Sequence, residues 1–404
     1  MLPRNKTLTA TALCGVLALA GAACGSNTSS SSAAQRGRTI ASHPADEVTS
    51  IPSLSGVGTS VRLDPGTAAA LHSLGVSLAP FGTATFDAAT STVTFPITAG
   101  YAEIHSDRSH QPGYIVGSIN HAGSGLTLSA GATNVTLSDF VVDPGNSMLY
   151  GTVGATPEVP LLFLDGTNVK VGNDAAGDVV LDGTVAKLTP QAADSLNQAF
   201  KTAALQPGTP LGVVHLVAKG AVTTYDATTD RTAEISRLTG QSTSVKVDPA
   251  TAAALKQLAV AVTPLGVGTF DRATSTFAFP ITGGFAAIHS DPGYKPGYIA
   301  GNVIHQASGL RFTKGGKYLD VTDFVVDPGN SVLTATAGGK SGVPLLFLDG
   351  TAVKVSKDGS HVVLDGTVAK LTRQAADTLN ATFGVRAFKE GLPLGVVHLV
   401  AAGS

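Results

Sequence analysis

Tryptophan is absent from the 404 residues, aromatic residues make up 5%, charged residues 13%, and the two cysteines are Cys14 and Cys24. Each shortage excludes something. A formal net charge of −2 provides no basic surface for a polyanion, so nucleic acid is not an expected partner. With both cysteines near the N-terminus, the rest of the chain has no pair to oxidise, which excludes a disulfide scaffold. Beyond the N-terminal stretch, no apolar run reaches the roughly 18 residues a membrane helix needs. The nucleophile elbow Gly-x-Ser-x-Gly, the phosphate loop Gly-x-x-x-x-Gly-Lys and the zinc motif His-Glu-x-x-His are also missing, so the commonest hydrolase, nucleotide and metalloprotease chemistries have no handle. A non-enzyme is expected. What the chain has in abundance is Gly (47) and Pro (21) within a composition 43% hydrophobic. That mixture belongs to short strands separated by turns.

Arg4 and Lys6 precede an apolar stretch of small residues from Leu8 to Ala23. This order is that of a secretory signal peptide. The segment Leu19-Ala20-Gly21-Ala22-Ala23-Cys24-Gly25 resembles a bacterial lipobox, which implies lipidation of Cys24. Residues 1–24 are accordingly read as a signal peptide and 25–53 as a Ser-rich tether, too polar and unpatterned to bury a face. The expected location is extracytoplasmic, with the protein lipid-anchored to the outer face of the cell membrane.

The remainder is one unit written twice. Phe95-Pro96-Ile97-Thr98 returns as Phe279-Pro280-Ile281-Thr282, Ile104-His105-Ser106-Asp107 as Ile288 to Asp291, and Asp139 to Asn146 as Asp323 to Asn330. The register slips by one residue near Gly177, after which Leu211 to Val217 matches Leu394 to Val400. The expected organisation is repeat domain 1 over 54–219, a polar linker over 220–240 and repeat domain 2 over 241–404, each repeat of about 160 residues being an ordinary domain size.

Segments such as Thr92–Ile97, Gly113–His121, Gly125–Leu128 and Val135–Val142 are rich in Val, Ile, Thr and Phe and bounded by turn residues. They predict strands in a mainly β fold, a β-sandwich or barrel-like body with short helices. Asp165-Gly166, Asp182-Gly183, Asp349-Gly350 and Asp365-Gly366 are expected at hairpin hinges. Two helices per unit are predicted. One follows Asp64-Pro65 and Asp248-Pro249, and the other opens at Thr189-Pro190 and at Thr372-Arg373, each with an N-cap residue ahead of an Ala/Leu body.

Three histidine pairs occupy matching positions, His105/His289, His121/His305 and His215/His398, and one tyrosine pair does, Tyr114/Tyr298. Period-2 geometry places His121 on the face of Ile115 and Ile119 and turns Tyr114 the other way. A strand-end histidine satisfied by a backbone carbonyl and an imidazole at the rim of a pocket are both compatible with this pattern. No metal-ligand spacing appears. The nearest group, His105, Asp107 and His110, has Tyr294 in place of His110 in the second copy, and no metal site is expected.

Each unit resembles the HtaA domain, found in cell-envelope haem-binding proteins of actinobacteria. The likeness rests on Gly117-x-Ile119-x-His121-x-Gly123-x-Gly125-Leu126, the run from Asp139 to Asn146 and Leu188-Thr189, with counterparts at Gly301 to Leu310, Asp323 to Asn330 and Leu371-Thr372. The resemblance implies a binding module with haem as its ligand. Where the family carries a haem-coordinating Tyr near its start, this chain has Ser60 to Pro65, so the polar residues that match are His121 and His305. The expected ligand-binding residues are therefore His121, His305, His105, His289, Tyr114 and Tyr298, serving a small or hydrophobic ligand. The alternative expectation is a structural or protein-interaction lipoprotein of the envelope with no small-molecule ligand.

Overall fold

The strand-forming runs from Ala99 to Asp165, broken by Gly, Asp and Pro, pair with their neighbours in sequence as a meander, which short connections favour, and the remaining strands close the sheet through longer-range pairs such as Ser55–Leu63 with Pro210–Lys219. In the computed structural model, which describes residues 46–227, 229–230, 233–291, 293–295, 297–359 and 361–403, each half builds one large antiparallel sheet. The signal peptide, Cys24 and most of the expected tether lie outside the described residues.

The first sheet runs in the order Thr223–Asp226, Glu47–Ile51, Ala99–His105, Ile115–Ala130, Thr133–Asp143, Met148–Val153, Thr156–Asp165, Val179–Leu188, Pro210–Lys219, Ser55–Leu63, Thr92–Phe95 and Thr85–Asp87. Ser77–Gly82 joins the far end of Ile115–Ala130, and Lys170–Asn173 joins Val179–Leu188. The second sheet repeats this order from Ala233–Ile235 to Thr269–Asp271. The fold is mainly β, with short helices packed on curled sheets.

Two segment boundaries differ from expectation. The tether was expected to continue to Ser53, yet Glu47–Ile51 is a strand whose Val48 and Ile51 are buried against Ala99–His105. The stretch 220–240, expected as a linker, contributes Thr223–Asp226 to the first sheet and Ala233–Ile235 to the second, and Leu238 within it is buried. Thr223–Asp226 and Ala233–Ile235 are short edge strands, and Glu47–Ile51 is paired on both sides with a buried Ser50, so the polar composition of these segments hid strands that long-range pairing holds.

At Asp165 and Asp349 the Asp-Gly pairs do end strands, but the strands that follow pair with Val179–Leu188 and His361–Leu371 instead, so these are turns and not hairpin hinges. Asp182-Gly183 and Asp365-Gly366 are not turns at all. These lie inside Val179–Leu188 and His361–Leu371, where the ladder skips a residue, and Gly183 and Gly366 have φ of 94° and 95°. An Asp-Gly pair supplies a positive φ to a β-bulge as readily as to a turn.

The helices start where their caps demand. Asp64 and Asp248 each accept the backbone N–H three residues on, both at 2.8 Å. Thr189 and Thr372 accept from Ala192 and Ala375, both at 3.1 Å. Arg373 in place of Pro190 leaves that cap intact, because the threonine hydroxyl and not the proline satisfies the free N–H. Helix Pro190–Phe200 and its partner Arg373–Phe383 bury Ala192, Ala193 and Leu196, and Ala375, Ala376 and Leu379, against the sheets.

The halves pack about an approximate two-fold axis, since equivalent residues meet each other. Tyr101 stacks on its counterpart Phe285 at 5.4 Å between centroids, Asn302 donates from Nδ2 to the carbonyl of its counterpart Ser118 at 3.2 Å, and Val141 shares a buried cluster with Val325. Arg237 of the second half reaches Glu158 at 3.3 Å and lies over the Tyr150 ring of the first.

Candidate functional site

Each half encloses an apolar cavity between its sheet and its two helices. The volumes are about 580 Å³ in the first half and 850 Å³ in the second, inside the range of small-molecule sites. Val61, Leu71, Phe95, Leu126, Phe140 and Leu161 are typical of the first wall, and Val245, Leu255, Phe279, Leu310, Phe324 and Leu345 of the second. Protein interiors are otherwise close-packed. Each mouth carries an exposed aromatic in the same repeat position, Phe163 at 45% and Phe347 at 50% exposure.

His121 and His305 lie in these walls, in the middle of the long strands Ile115–Ala130 and Ile299–Lys314 rather than at strand ends. The segments Gly113–His121 and Gly125–Leu128, expected as separate strands, form one strand because a bulge between His121 and Gly125 carries the ladder through. Each imidazole is fully engaged. Nδ1–H of His121 donates to the Phe140 carbonyl at 3.3 Å while Nε2 accepts from the Thr59 hydroxyl at 2.8 Å. His305 repeats this with Phe324 and Thr243 at 3.3 and 2.8 Å. The tautomer follows from the carbonyl, which can only accept. Burial pushes both imidazoles down to about 4, so they stay neutral. No nitrogen lone pair is left for an iron, and these donors do not fit a haem held by His121 or His305.

Tyr114 and Tyr298 line the same cavities, against the expectation that Tyr114 faces away from His121. Tyr114 precedes the first residue of its strand, so the strand's alternation does not bind it, and Arg108 stacks over its ring at 4.1 Å from the centroid.

His105 and His289 are elsewhere. They lie on Ala99–His105 and directly after Gly283–Ile288, strands that face the opposite half. Nδ1 of His105 bonds Asp46 at 2.8 Å and Nδ1 of His289 bonds Asp230 at 2.7 Å. The rings stack, His105 on His110 at 3.6 Å and His289 on Tyr294 at 3.4 Å. Around them gather Tyr101, Glu103, Tyr225 and Glu234. Glu103 is fully buried, its Oε1 accepts from the Tyr101 and Tyr225 hydroxyls, and burial first, then the neighbouring Glu234 charge, push its carboxyl up to about 7.

The six residues expected to bind ligand are thus divided between two apolar cavities and a polar cluster where the halves meet. Sequence reasoning missed Glu103 and Glu234 because it weighted matched positions, and these acids are unmatched: Ala287 stands for Glu103 in the second copy, and Ser50 for Glu234 in the first. Divergence between the copies was the available signal.

No protein-family model matches the sequence and no curated protein matches it. Among solved structures the chain is similar to the C-terminal domain of HtaA from Corynebacterium glutamicum, with 14% identity and a TM-score of 0.29, over 41% of this chain and 97% of that domain.

Proposed function

We propose that this chain is a non-enzymatic binding protein that takes one apolar small molecule into the cavity of each half. The observation that carries this reading is the pair of apolar cavities in equivalent positions, of about 580 and 850 Å³. A void lined by aliphatic side chains forfeits dispersion contacts and tends to stay dry, so it costs stability unless something fills it. Two copies keeping the same void, with Phe163 and Phe347 exposed at the mouths, favour an occupant over a purely structural role. The occupant is held by shape and apolar area, with His121 and His305 as neutral wall groups and Tyr114 and Tyr298 at the rim. Export and lipid attachment at Cys24 belong to the same proposal and would place the cavities outside the cell membrane, within reach of apolar compounds there.

The full chain is titrated with the fluorescent fatty acid cis-parinaric acid and, separately, with haemin. Saturable parinaric acid binding is expected, and it should fall at least tenfold in a Ser195→Trp/Thr378→Trp protein, whose new indoles enter the two cavities from the covering helices. Haemin should give no Soret shift that depends on His121 or His305. Absence of saturable binding by either probe would sink the proposal in favour of a structural lipoprotein.

A further inference from the structure

Where the halves meet, three electron-pair donors converge on one point. His105 gives its Nδ1 proton to Asp46 at 2.8 Å, and Asp46 is fixed in turn by the Asp107 N–H at 2.9 Å and the Ser106 hydroxyl at 3.2 Å. The Nε2 of a neutral His105 is then a lone pair pointing inward. Glu103 has both its tyrosine hydroxyls on Oε1, which leaves Oε2 bare. Oε2 of Glu103 lies 3.9 Å from that Nε2, and Oε1 of Glu234 lies 3.6 Å from it. Glu103 and His105 are 0% and 2% exposed, yet Oε2 and Nε2 have no hydrogen-bond partner among the described residues. Buried acceptors facing one another without a donor are costly unless a proton or a cation sits between them.

We propose that Glu103, His105 and Glu234 bind one divalent first-row transition ion of the Zn²⁺ type. Bonds of about 2.0–2.2 Å in tetrahedral geometry hold donors about 3.4 Å apart, so 3.6 Å already fits and 3.9 Å needs a closure of about half an ångström. One imidazole and two carboxylates suit Zn²⁺ and its neighbours better than Ca²⁺, which takes six to eight oxygens at longer distance. Two carboxylates also neutralise a divalent charge, as a buried site requires. The surroundings orient the donors as in metal centres: Asp46 fixes the tautomer of His105, Tyr101 and Tyr225 fix Glu103, and His110 bonds Glu234 at 3.1 Å. His110 and Glu234 keep side-chain exposures of 21% and 15%, which gives the ion a way in. The site is asymmetric because each half has only one of the two glutamates, so one ion per chain is expected.

The test uses the metal-stripped full chain, dialysed against ZnCl2, CoCl2 or MgCl2 and assayed for bound metal by mass spectrometry. Zn²⁺ is expected to bind one per chain and to raise the melting temperature, Co²⁺ to give a visible d–d band, and Mg²⁺ to do neither. Glu103→Gln and Glu234→Gln preserve shape and should each weaken Zn²⁺ at least tenfold and remove the rise in melting temperature, while His215→Gln, at an exposed pair with Asp182, should bind as the wild type does. If the wild type gives no Co²⁺ band and no stoichiometric Zn²⁺, or if both glutamine variants retain full Zn²⁺ affinity, the cluster holds only protons and the proposal fails.

Discussion

His121 illustrates how burial decides the chemistry of a residue. Its folded pKa of about 4 lies below the ordinary value of 6.5, so the unfolded chain takes up the proton first as pH falls. The stabilisation is complete above pH 6.5 and is lost between 6.5 and 4, because protons bind preferentially to the unfolded state over that window. His305 behaves identically. At 1.36 kcal/mol per pKa unit, each contributes at most about 3 kcal/mol to the acid sensitivity. A His121→Gln protein should therefore lose roughly that much less stability than the wild type between pH 6.5 and 4, measured by urea unfolding at several pH values. An unchanged pH slope would show that His121 is not neutral in the folded protein. The sequence placed this imidazole on the inner face of a strand, with a backbone carbonyl partner as one reading. It could not name Thr59 as the second partner, because that contact joins strands far apart in sequence.

Gly117 and Gly301 show what the long strands require of their elements. They have φ of 132° and 114°, and a Cβ at either would run into the carbonyl oxygen of Tyr101 or Phe285 on the adjacent strand. No other residue adopts this backbone easily. Gly117→Ala is expected to cost about 3 kcal/mol or more, combining backbone strain with the clash. Gly131, at φ of 58° in a hairpin turn with open space around it, should lose only about 1 kcal/mol on the same change. Comparing the two in denaturant separates the close approach from the positive φ alone, and equal losses would contradict the account. The same approach of strands brings Ala99–His105 alongside Ile115–Ala130 and so sets the position of Glu103 and His105.

For the whole molecule the meeting of the halves is the feature to test. Tyr101 and Phe285 are both fully buried and lie nearly parallel, 16° apart in plane. Removing either ring leaves a cavity, and truncations of this kind cost roughly 3–5 kcal/mol. Because the rings touch each other, Tyr101→Ala and Phe285→Ala should not be additive, and the double variant should fall short of the sum by about 1 kcal/mol. Since the contact is shared, Phe285→Ala should lower the unfolding of both halves within one transition. A variant in which the second half melts early while the first keeps its wild-type midpoint would mean that the halves fold independently.

The order of residues alone determined the duplication, the β-rich class and the helix starts, since these depend on local patterns: alternating apolar residues, turn residues, and a capping side chain three positions before the N–H it accepts. It misjudged Glu47–Ile51 and the strands within 220–240, because these short polar segments become strands only through pairing with partners far away in sequence. Tertiary structure decided the functional geography. It turned Tyr114 and His121 into one cavity, sent His105 and His289 to the junction, and brought Glu103 of one copy against Glu234 of the other. Such meetings depend on sheet curvature and on packing between halves, and long-range contacts of this kind leave no periodic trace in a sequence.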